Sequence, residues 1–165
     1  MEVRSLFAAT SRKDPKGMLC RHYSSRDRNP EIRLSQALDR DEINRLSNRV
    51  IGAAIEVHRL MGPGLLESTY EECLVYELED RGIRAARQVM VPLKYKGRTL
   101  STSYRIDLLV NDSLLIEVKS VEQLAPIHES QVLTYLRLTE LPLGLLLNFN
   151  CTALVKGLRR LANGM

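Results

Sequence analysis

The sequence predicts an α/β domain in which a mixed central sheet is flanked by helices, with the element order α-α-β-β-β-α-β-α. Three observations predict this class. Apolar residues recur every three or four positions in two segments after residue 38, the period changes to two over the next three segments, and a further helical segment then leads into a buried apolar run. Because a helix joins the third strand to the fourth, we expect the last strand to lie parallel to a neighbour.

Two amphipathic helices are predicted first. The first helix carries one apolar face, made of Ile43, Leu46, Val50, Ala54, Val57 and Met61. Gly62-Pro63-Gly64 ends it, since proline cannot continue a helix. The second helix runs from about Leu66 to Arg81 and is stopped by Gly82, and its buried stripe comprises Leu66, Tyr70, Cys73 or Leu74, and Leu78.

A three-stranded meander follows the helices. Val89, Val91 and Leu93 alternate with Met90, Pro92 and Lys94, and Lys96-Gly97 forms a turn. One face of the next strand is predicted to consist of Tyr104, Ile106, Leu108 and Val110. Asn111-Asp112-Ser113 forms the second turn, and the third strand covers Leu114 to Val121.

The remaining elements are a helix, a strand and a closing helix. Pro126 opens the helix, whose apolar positions include Val132, Leu133 and Leu136. Leu143 to Phe149 is an apolar run of the length expected for a buried strand. Thr152 to Ala162 is predicted to form the closing helix.

The chain divides into a basic extension, residues 1–38, and a domain, residues 39–165. The extension has no apolar periodicity, so we predict that it is poorly ordered. An organellar transit peptide is one alternative, although Glu2, Asp14 and Asp27 argue against it. Another alternative is that the start assigned to the sequence lies upstream of the true first residue.

The composition limits the partners and the compartment. The formal charge of +4 and the pI near 9.1 are compatible with a phosphate-rich partner such as DNA. Three widely spaced cysteines form no CxxC pair, which favours a reducing, cytoplasmic location over a disulfide framework, with an organelle as the alternative. The longest apolar run, Leu141 to Leu147, is far shorter than the roughly 20 residues of a membrane helix, so no membrane association is expected. Self-association and protein partners are left open.

Three charged residues form the main candidate site. Glu117 and Lys119 are two apart in a strand and therefore share a face. Taken alone, they could be a loose ion pair on a solvated strand. The turn at Asn111-Asp112-Ser113, however, can bring Asp107 of the preceding strand close to Glu117. Two carboxylates ~4 Å apart repel by about 4 kcal/mol at an effective dielectric of 20, and a divalent cation resolves this repulsion well.

That pattern fits phosphodiester hydrolysis. Mg²⁺ held by a few carboxylates keeps positions for water and for a phosphate oxygen. Lys119 would orient the attacking water or stabilise the developing charge. Glu67, at the start of the second helix, is either a third carboxylate for the metal or a favourable acid in a first helical turn.

A family resemblance supports this interpretation. The segment Gly62-Pro63-Gly64-Leu65-Leu66-Glu67-Ser68-Thr69-Tyr70-Glu71 resembles the signature of the GxxExxY family, with Gly64, Glu67 and Tyr70 at its defining positions. Further matching features follow in order, namely residues 54–58, 104–110 and 116–119, Gln131 with Tyr135, and residues 144–149. The resemblance covers about Glu42 to Leu161.

The GxxExxY family is similar to PD-(D/E)xK nucleases, especially the RecB-like branch, and so implies a restriction-endonuclease-like core. The resemblance assigns metal binding to Glu67, Asp107 and Glu117 and a catalytic role to Lys119. It places Gln131 and Tyr135 at the substrate. Arg105 is a further candidate for phosphate contact, with an ordinary surface arginine as the alternative. Ile106 stands where the motif's name implies proline.

A histidine on the first helix near the metal is also common in that branch. The resemblance makes His58 the candidate, and a buried or helix-capping histidine is the alternative. Tyr70 is expected in the core, with its hydroxyl near the site.

Three functions remain open from the sequence. The first is a Mg²⁺- or Mn²⁺-dependent nuclease acting on DNA. The second is a nucleic-acid-binding or protein-interaction module that keeps the fold but has little catalysis. The third is a metallohydrolase whose substrate is not DNA. The complete Asp107, Glu117 and Lys119 set favours the first function.

Overall fold

The computed structural model describes residues 38–163. Two helices come first, α1 (Arg40–Met61) and α2 (Glu67–Asp80), and three strands follow them, β1 (Ala85–Tyr95), β2 (Arg98–Val110) and β3 (Leu114–Lys119). The chain continues with α3 (Pro126–Thr139), β4 (Leu143–Asn148), the single turn α4 (Leu154–Gly157) and β5 (Leu158–Ala162). The predicted extension lies outside the described residues except for Leu38, which packs against the core.

The five strands form one mixed sheet in the order β1-β2-β3-β4-β5. Strands β1, β2 and β3 pair antiparallel, as predicted for a meander. Strand β4 runs parallel to β3 over six residue pairs, from Leu114↔Leu143 to Lys119↔Asn148. The parallel pairing confirms the expectation drawn from the helix that joins these two strands.

The predicted closing helix is wrong for most of its length. Only Leu154–Gly157 is helical, and the chain then extends as β5, antiparallel to β4. Glycine is a poor helix former, and Gly157 marks the end of the helical turn. Without β5, strand β4 would leave a row of unpaired backbone groups at the edge of the sheet, so tertiary pairing overrides local preference.

Asp39 and Gly62 fix the two ends of α1. The Asp39 carboxylate accepts hydrogen bonds from the backbone N–H groups of Asp41 and Glu42, while Glu42 accepts one from the backbone N–H of Asp39. This capping box satisfies donors that have no partner inside the helix. Gly62 ends the helix with φ of 68°, a left-handed value that favours glycine.

Hydrophobic cores lie on both faces of the sheet. The first packs α1 and α2 against β3 and β4, and includes Val50, Leu74, Ile116 and Leu145. The second packs α3 on the other face, and includes Val132, Leu136, Leu115 and Leu146. Within the described chain, no helix is both long and apolar enough to cross a bilayer.

Three details of the predicted core need correction. Met61 and Leu66, which were placed on buried faces, are 44% and 75% exposed because they sit at helix ends beside the glycine turn. The predicted single face of β2 is also wrong. Ile106 packs with α3, whereas Leu108 packs on the opposite side of the sheet. The change of face occurs at Asp107, opposite Gln88, whose positive φ of 56° interrupts regular alternation in β1.

Candidate active site

Strands β2 and β3 place two carboxylates side by side. Leu108 pairs with Ile116, so the next positions in the same register are Asp107 and Glu117. The backbone N–H of Val118 donates to Oδ2 of Asp107 at 2.9 Å, which ties the aspartate to β3. The hairpin therefore brings the Asp107 side chain beside that of Glu117, as expected from the turn at residues 111–113.

Glu117 and Lys119 lie on the same face of β3. The ammonium group of Lys119 donates to Oε1 of Glu117, with Nζ and Oε1 2.6 Å apart. Glu117 is only 1% exposed, and its second oxygen, Oε2, is buried without a hydrogen-bond partner in the described part of the chain. A buried acceptor without a partner is unusual and costly, so this oxygen is available to a ligand.

Burial and like charge disfavour ionised carboxylates here. Burial raises the pKa of Glu117 to about 7, the Asp107 charge adds to that rise, and the Lys119 hydrogen bond opposes it. Burial also raises the pKa of Asp107, although the Val118 N–H opposes the change. For Lys119, burial lowers the pKa, but the hydrogen bond and charge of Glu117 outweigh it and leave the pKa raised. The site therefore favours additional positive charge.

Glu67 joins the site from the first position of α2. Its Oε1 accepts a hydrogen bond from the backbone N–H of Ser120 at 3.0 Å, immediately after Lys119. The Ser120 hydroxyl donates to the Leu65 carbonyl at 2.7 Å, so the end of β3 is tied to the start of α2 twice. These two bonds hold the Glu67 carboxylate beside the Lys119 end of the strand.

Gln131 and Tyr135 enter from α3, one turn apart. Nε2 of Gln131 donates to the Tyr135 hydroxyl oxygen at 2.8 Å. The Tyr135 ring is buried in the second core, and its centroid lies 5.3 Å from that of Tyr104. Burial raises the pKa of Tyr135, with the Gln131 hydrogen bond opposing this change, so its hydroxyl stays neutral near pH 7. Tyr135 therefore belongs to the core and reaches the site as well.

A cavity of about 470 Å³ collects most of the residues predicted from sequence. Its lining includes seven of them: Glu67, Arg105, Asp107, Glu117, Lys119, Gln131 and Tyr135. Met90, Ser103 and Tyr104 complete the wall. The structure thus brings carboxylates, a lysine, an arginine and two neutral hydrogen-bonding groups to one opening.

His58 is placed elsewhere. Its Nε2 lies 2.9 Å from the carbonyl oxygen of Cys151, and its ring faces Phe149 with the centroids 6.3 Å apart. Cys151 lines a second cavity, of about 340 Å³, that shares no residue with the first. The contacts of His58 match the alternative of a packed, hydrogen-bonded histidine.

Tyr70 has the expected core position. It is fully buried, and its ring stacks on Phe149 at 4.4 Å between centroids. Its hydroxyl donates to the Gly62 carbonyl at 2.6 Å and accepts from the Leu65 N–H at 3.1 Å. Tyr70 therefore fixes the glycine turn that leads into Glu67.

A second acid on α2 was not predicted to take part. Glu71 lies one turn after Glu67 and is buried, and its Oε2 accepts from Nε2 of Gln88 at 2.5 Å. Its charge also raises the pKa of Asp107. The spacing of four between Glu67 and Glu71 was the available signal, because it puts both carboxylates on one helix face.

The donor set can be judged against the needs of a metal ion. Among residues 38–163, no group of three or more His, Cys, Asp or Glu side chains is gathered closely enough to hold a metal in the arrangement described. The chemistry of the donors nevertheless fits a hard divalent cation, since Asp107 and Glu117 are adjacent and Oε2 of Glu117 has no partner. Glu67 can supply a third carboxylate from the same cavity wall.

Comparison with known proteins gives one family match. Residues 44–161 match the PD-(D/E)XK nuclease superfamily, a span that contains every strand of the sheet except the last residue of β5. No curated protein and no solved structure matches the chain significantly. Members of this superfamily are generally nucleases and typically use divalent metal ions, so a nucleic-acid substrate is implied. The match covers most of the chain and agrees with the mixed sheet and with the Asp107, Glu117 and Lys119 cluster. The chain therefore belongs to the PD-(D/E)XK nuclease superfamily.

Proposed function

We propose that this protein is a Mg²⁺- or Mn²⁺-dependent nuclease that hydrolyses phosphodiester bonds in DNA. The observation that carries the proposal is the buried Oε2 of Glu117, which has no partner in the described chain and lies beside Asp107 and Lys119. A structural ion pair would need no such oxygen. A ligand that is positively charged and prefers oxygen would satisfy it.

The carboxylates of Asp107, Glu117 and Glu67 would hold the metal. When bound, a divalent cation would polarise the scissile phosphate and lower the pKa of the attacking water. The main-chain carbonyl oxygen of Val118 would be a further ligand. Burial of the two central carboxylates keeps water from screening their charge, which strengthens their attraction for a cation.

Lys119 would act on the reacting groups. Its raised pKa keeps the ammonium charged near pH 7, where it can orient a water molecule or stabilise charge on the phosphate. Its neighbours on α3, Gln131 and Tyr135, would hydrogen-bond the substrate, because neither group is a strong ligand for Mg²⁺. Arg105 adds a positive charge at the same opening for phosphate contact.

We also propose the family, the domain bounds and the cellular location of the protein. The turn geometry supports membership of the GxxExxY family and the RecB-like branch, since Gly64 has φ of 99°, Glu67 begins α2 and Tyr70 braces the turn. We place the nuclease-like domain at residues 39–165, after an extension of residues 1–38. A cytoplasmic location accords with the cysteine spacing.

A binding module with little catalysis is the rival function. One observation favours it, namely that Lys119 already neutralises Oε1 of Glu117 and that no three-ligand group is assembled in the part of the chain described. Such a protein would hold nucleic acid in the same cavity without cleaving it.

A cleavage assay separates the two functions. Purified protein is incubated with single-stranded, duplex and branched DNA, with Mg²⁺, with Mn²⁺, or with excess EDTA. We expect cleavage that requires metal and that Lys119→Ala abolishes. The matched control is Lys156→Ala, which removes an exposed lysine on α4 outside the cavity. DNA binding without metal-dependent cleavage of any of the three substrates would favour the binding module.

A further inference from the structure

Strands β1 and β2 continue beyond the sheet as a two-stranded ribbon. Strand β2 pairs with β3 only over Leu108–Val110, whereas its pairing with β1 continues to Tyr95↔Arg98. The outer part of this hairpin, residues 92–105, is called the arm here. Residues 98–105 are all exposed, and the turn at Lys96-Gly97 forms the tip.

The arm carries positive charge and no negative charge. No Asp or Glu occurs between Asp80 and Asp107. Within residues 92–105 the basic side chains are Lys94, Lys96, Arg98 and Arg105. Exposed hydroxyls follow on β2, at Thr99, Ser101, Thr102 and Ser103.

The basic residues of the arm differ in pairing from those at its base. At the base, Arg84 pairs with Asp112, and Arg87 pairs with the buried Glu71. In the described part of the chain, none of the arm's lysines and arginines forms an ion pair with a carboxylate. Their charge is therefore available to an anionic partner.

The arm opens into the cavity. Ser103, Tyr104 and Arg105 belong to the arm and line the cavity, and Asp107 lies two residues further along β2. A polymer lying along the arm would therefore reach the carboxylates without leaving the protein surface. Positive charges at the tip of the arm and beside the cavity, joined by a run of hydroxyl side chains, suit a polyanion that spans the arm better than a small anion.

We propose that the arm binds the sugar–phosphate backbone of duplex DNA and positions one of its phosphates at the cavity. The proposal rests on the proposed function. A two-stranded ribbon fits the major groove of B-form DNA, whereas the corresponding groove of duplex RNA is too narrow and deep for side chains to enter. Lysine, arginine and hydroxyl side chains are the usual phosphate contacts, and the exposed Tyr95 and Leu100 add apolar contact area.

The test neutralises the outer part of the arm. The variant Lys94→Thr, Lys96→Asn, Arg98→Thr keeps strand-forming residues in the strands and an asparagine at the positive φ of position 96. Affinity for a short duplex is measured by fluorescence anisotropy over a salt series in EDTA, so that no cleavage occurs. We expect affinity at low salt to fall by at least about tenfold. The salt slope should also be less steep, by roughly 0.9 for each phosphate that the variant no longer neutralises.

A matched control removes the same charge elsewhere. The variant Arg40→Ser, Arg45→Ser, Lys156→Ser neutralises three exposed side chains on α1 and α4. We expect it to keep most of the affinity. If the two variants lose equal affinity, net charge explains the binding and the proposal is overturned.

Further outcomes are equally decisive. Wild-type affinity and slope in the arm variant would overturn the proposal, and an equal loss on duplex RNA would overturn the choice of duplex DNA. Thermal melting checks that the triple variant is folded. If it melts early, Arg98→Thr alone replaces it, and we expect about one third of the slope change. Binding is measured without metal, so a wild-type protein that never cleaves refutes the proposed nuclease and leaves the arm result standing.

Discussion

Replacing Glu117 with glutamine should change how the stability of the metal-free protein depends on pH. Burial, the Asp107 charge and the opposing Lys119 bond together raise the pKa of Glu117 from 4.5 to about 7. Between these values the folded protein holds a proton that the unfolded chain has released. The free energy of unfolding therefore falls as pH rises through this window. Glutamine cannot ionise, so the variant lacks this contribution.

The size of the effect follows from the shift. At about 1.36 kcal/mol per pKa unit, a rise from 4.5 to about 7 corresponds to about 3 kcal/mol, most of which falls between pH 5 and pH 8. Relative to wild type, the free energy of unfolding of Glu117→Gln should therefore rise by most of that amount between pH 5 and pH 8. Its amide oxygen can still accept from Lys119, so any constant loss of stability does not alter the pH-dependent difference.

Urea unfolding in EDTA at several pH values measures this difference. Glu79→Gln is the matched control, because Glu79 is an exposed carboxylate on α2. The gain in stability with pH should be larger for Glu117→Gln than for this control. A Glu117→Gln difference that stays constant from pH 5 to pH 8 would refute the argument that Glu117 is a destabilised buried acid.

Four further outcomes are expected. Asp107→Ala should weaken Mn²⁺ binding in calorimetry, because it removes one of the carboxylates that would hold the metal; unchanged affinity would count against the metal site. Lys119→Ala should lose cleavage while keeping DNA affinity, and a native rate would make Lys119 an ordinary ion-pair partner. Gln131→Ala and Tyr135→Phe should weaken DNA binding or slow cleavage at an unchanged salt slope, since neutral groups release no counterions; selective loss of Mn²⁺ binding would contradict this role. Deleting residues 1–38 should shift the melting midpoint by only a few degrees, and a larger loss would show that the extension contributes to the fold.

Periodicity was enough to predict most of the fold. The step of three and four predicted α1 and α2, and the step of two predicted the meander, because each pattern reflects which side chains face a core. The sequence could not show β5, since its formation depends on pairing with the edge of β4. The burial of Met61 and Leu66 was mispredicted for a related reason, because a helical pattern does not show where the packed face ends.

The part of the candidate site that is built from residues close in sequence could be predicted. Glu117 and Lys119 share a face by strand alternation, and the turn after β2 brings in Asp107. Contacts between distant segments were not predictable. The bond from the Ser120 N–H to Glu67 joins residues 53 apart, and the role of Glu71 depends on a left-handed residue in β1.

The two edge strands of the sheet also affect how copies of the protein meet. On one side of the sheet, β1 contains Pro92, which has no N–H to donate, and a register shift follows it. On the other side, β5 presents Arg159, which pairs with Glu129, and Arg160, whose charge opposes a second copy aligned on the same strand. Both edges of the described sheet therefore resist strand addition, so assembly into extended β-structure is disfavoured even at high protein concentration.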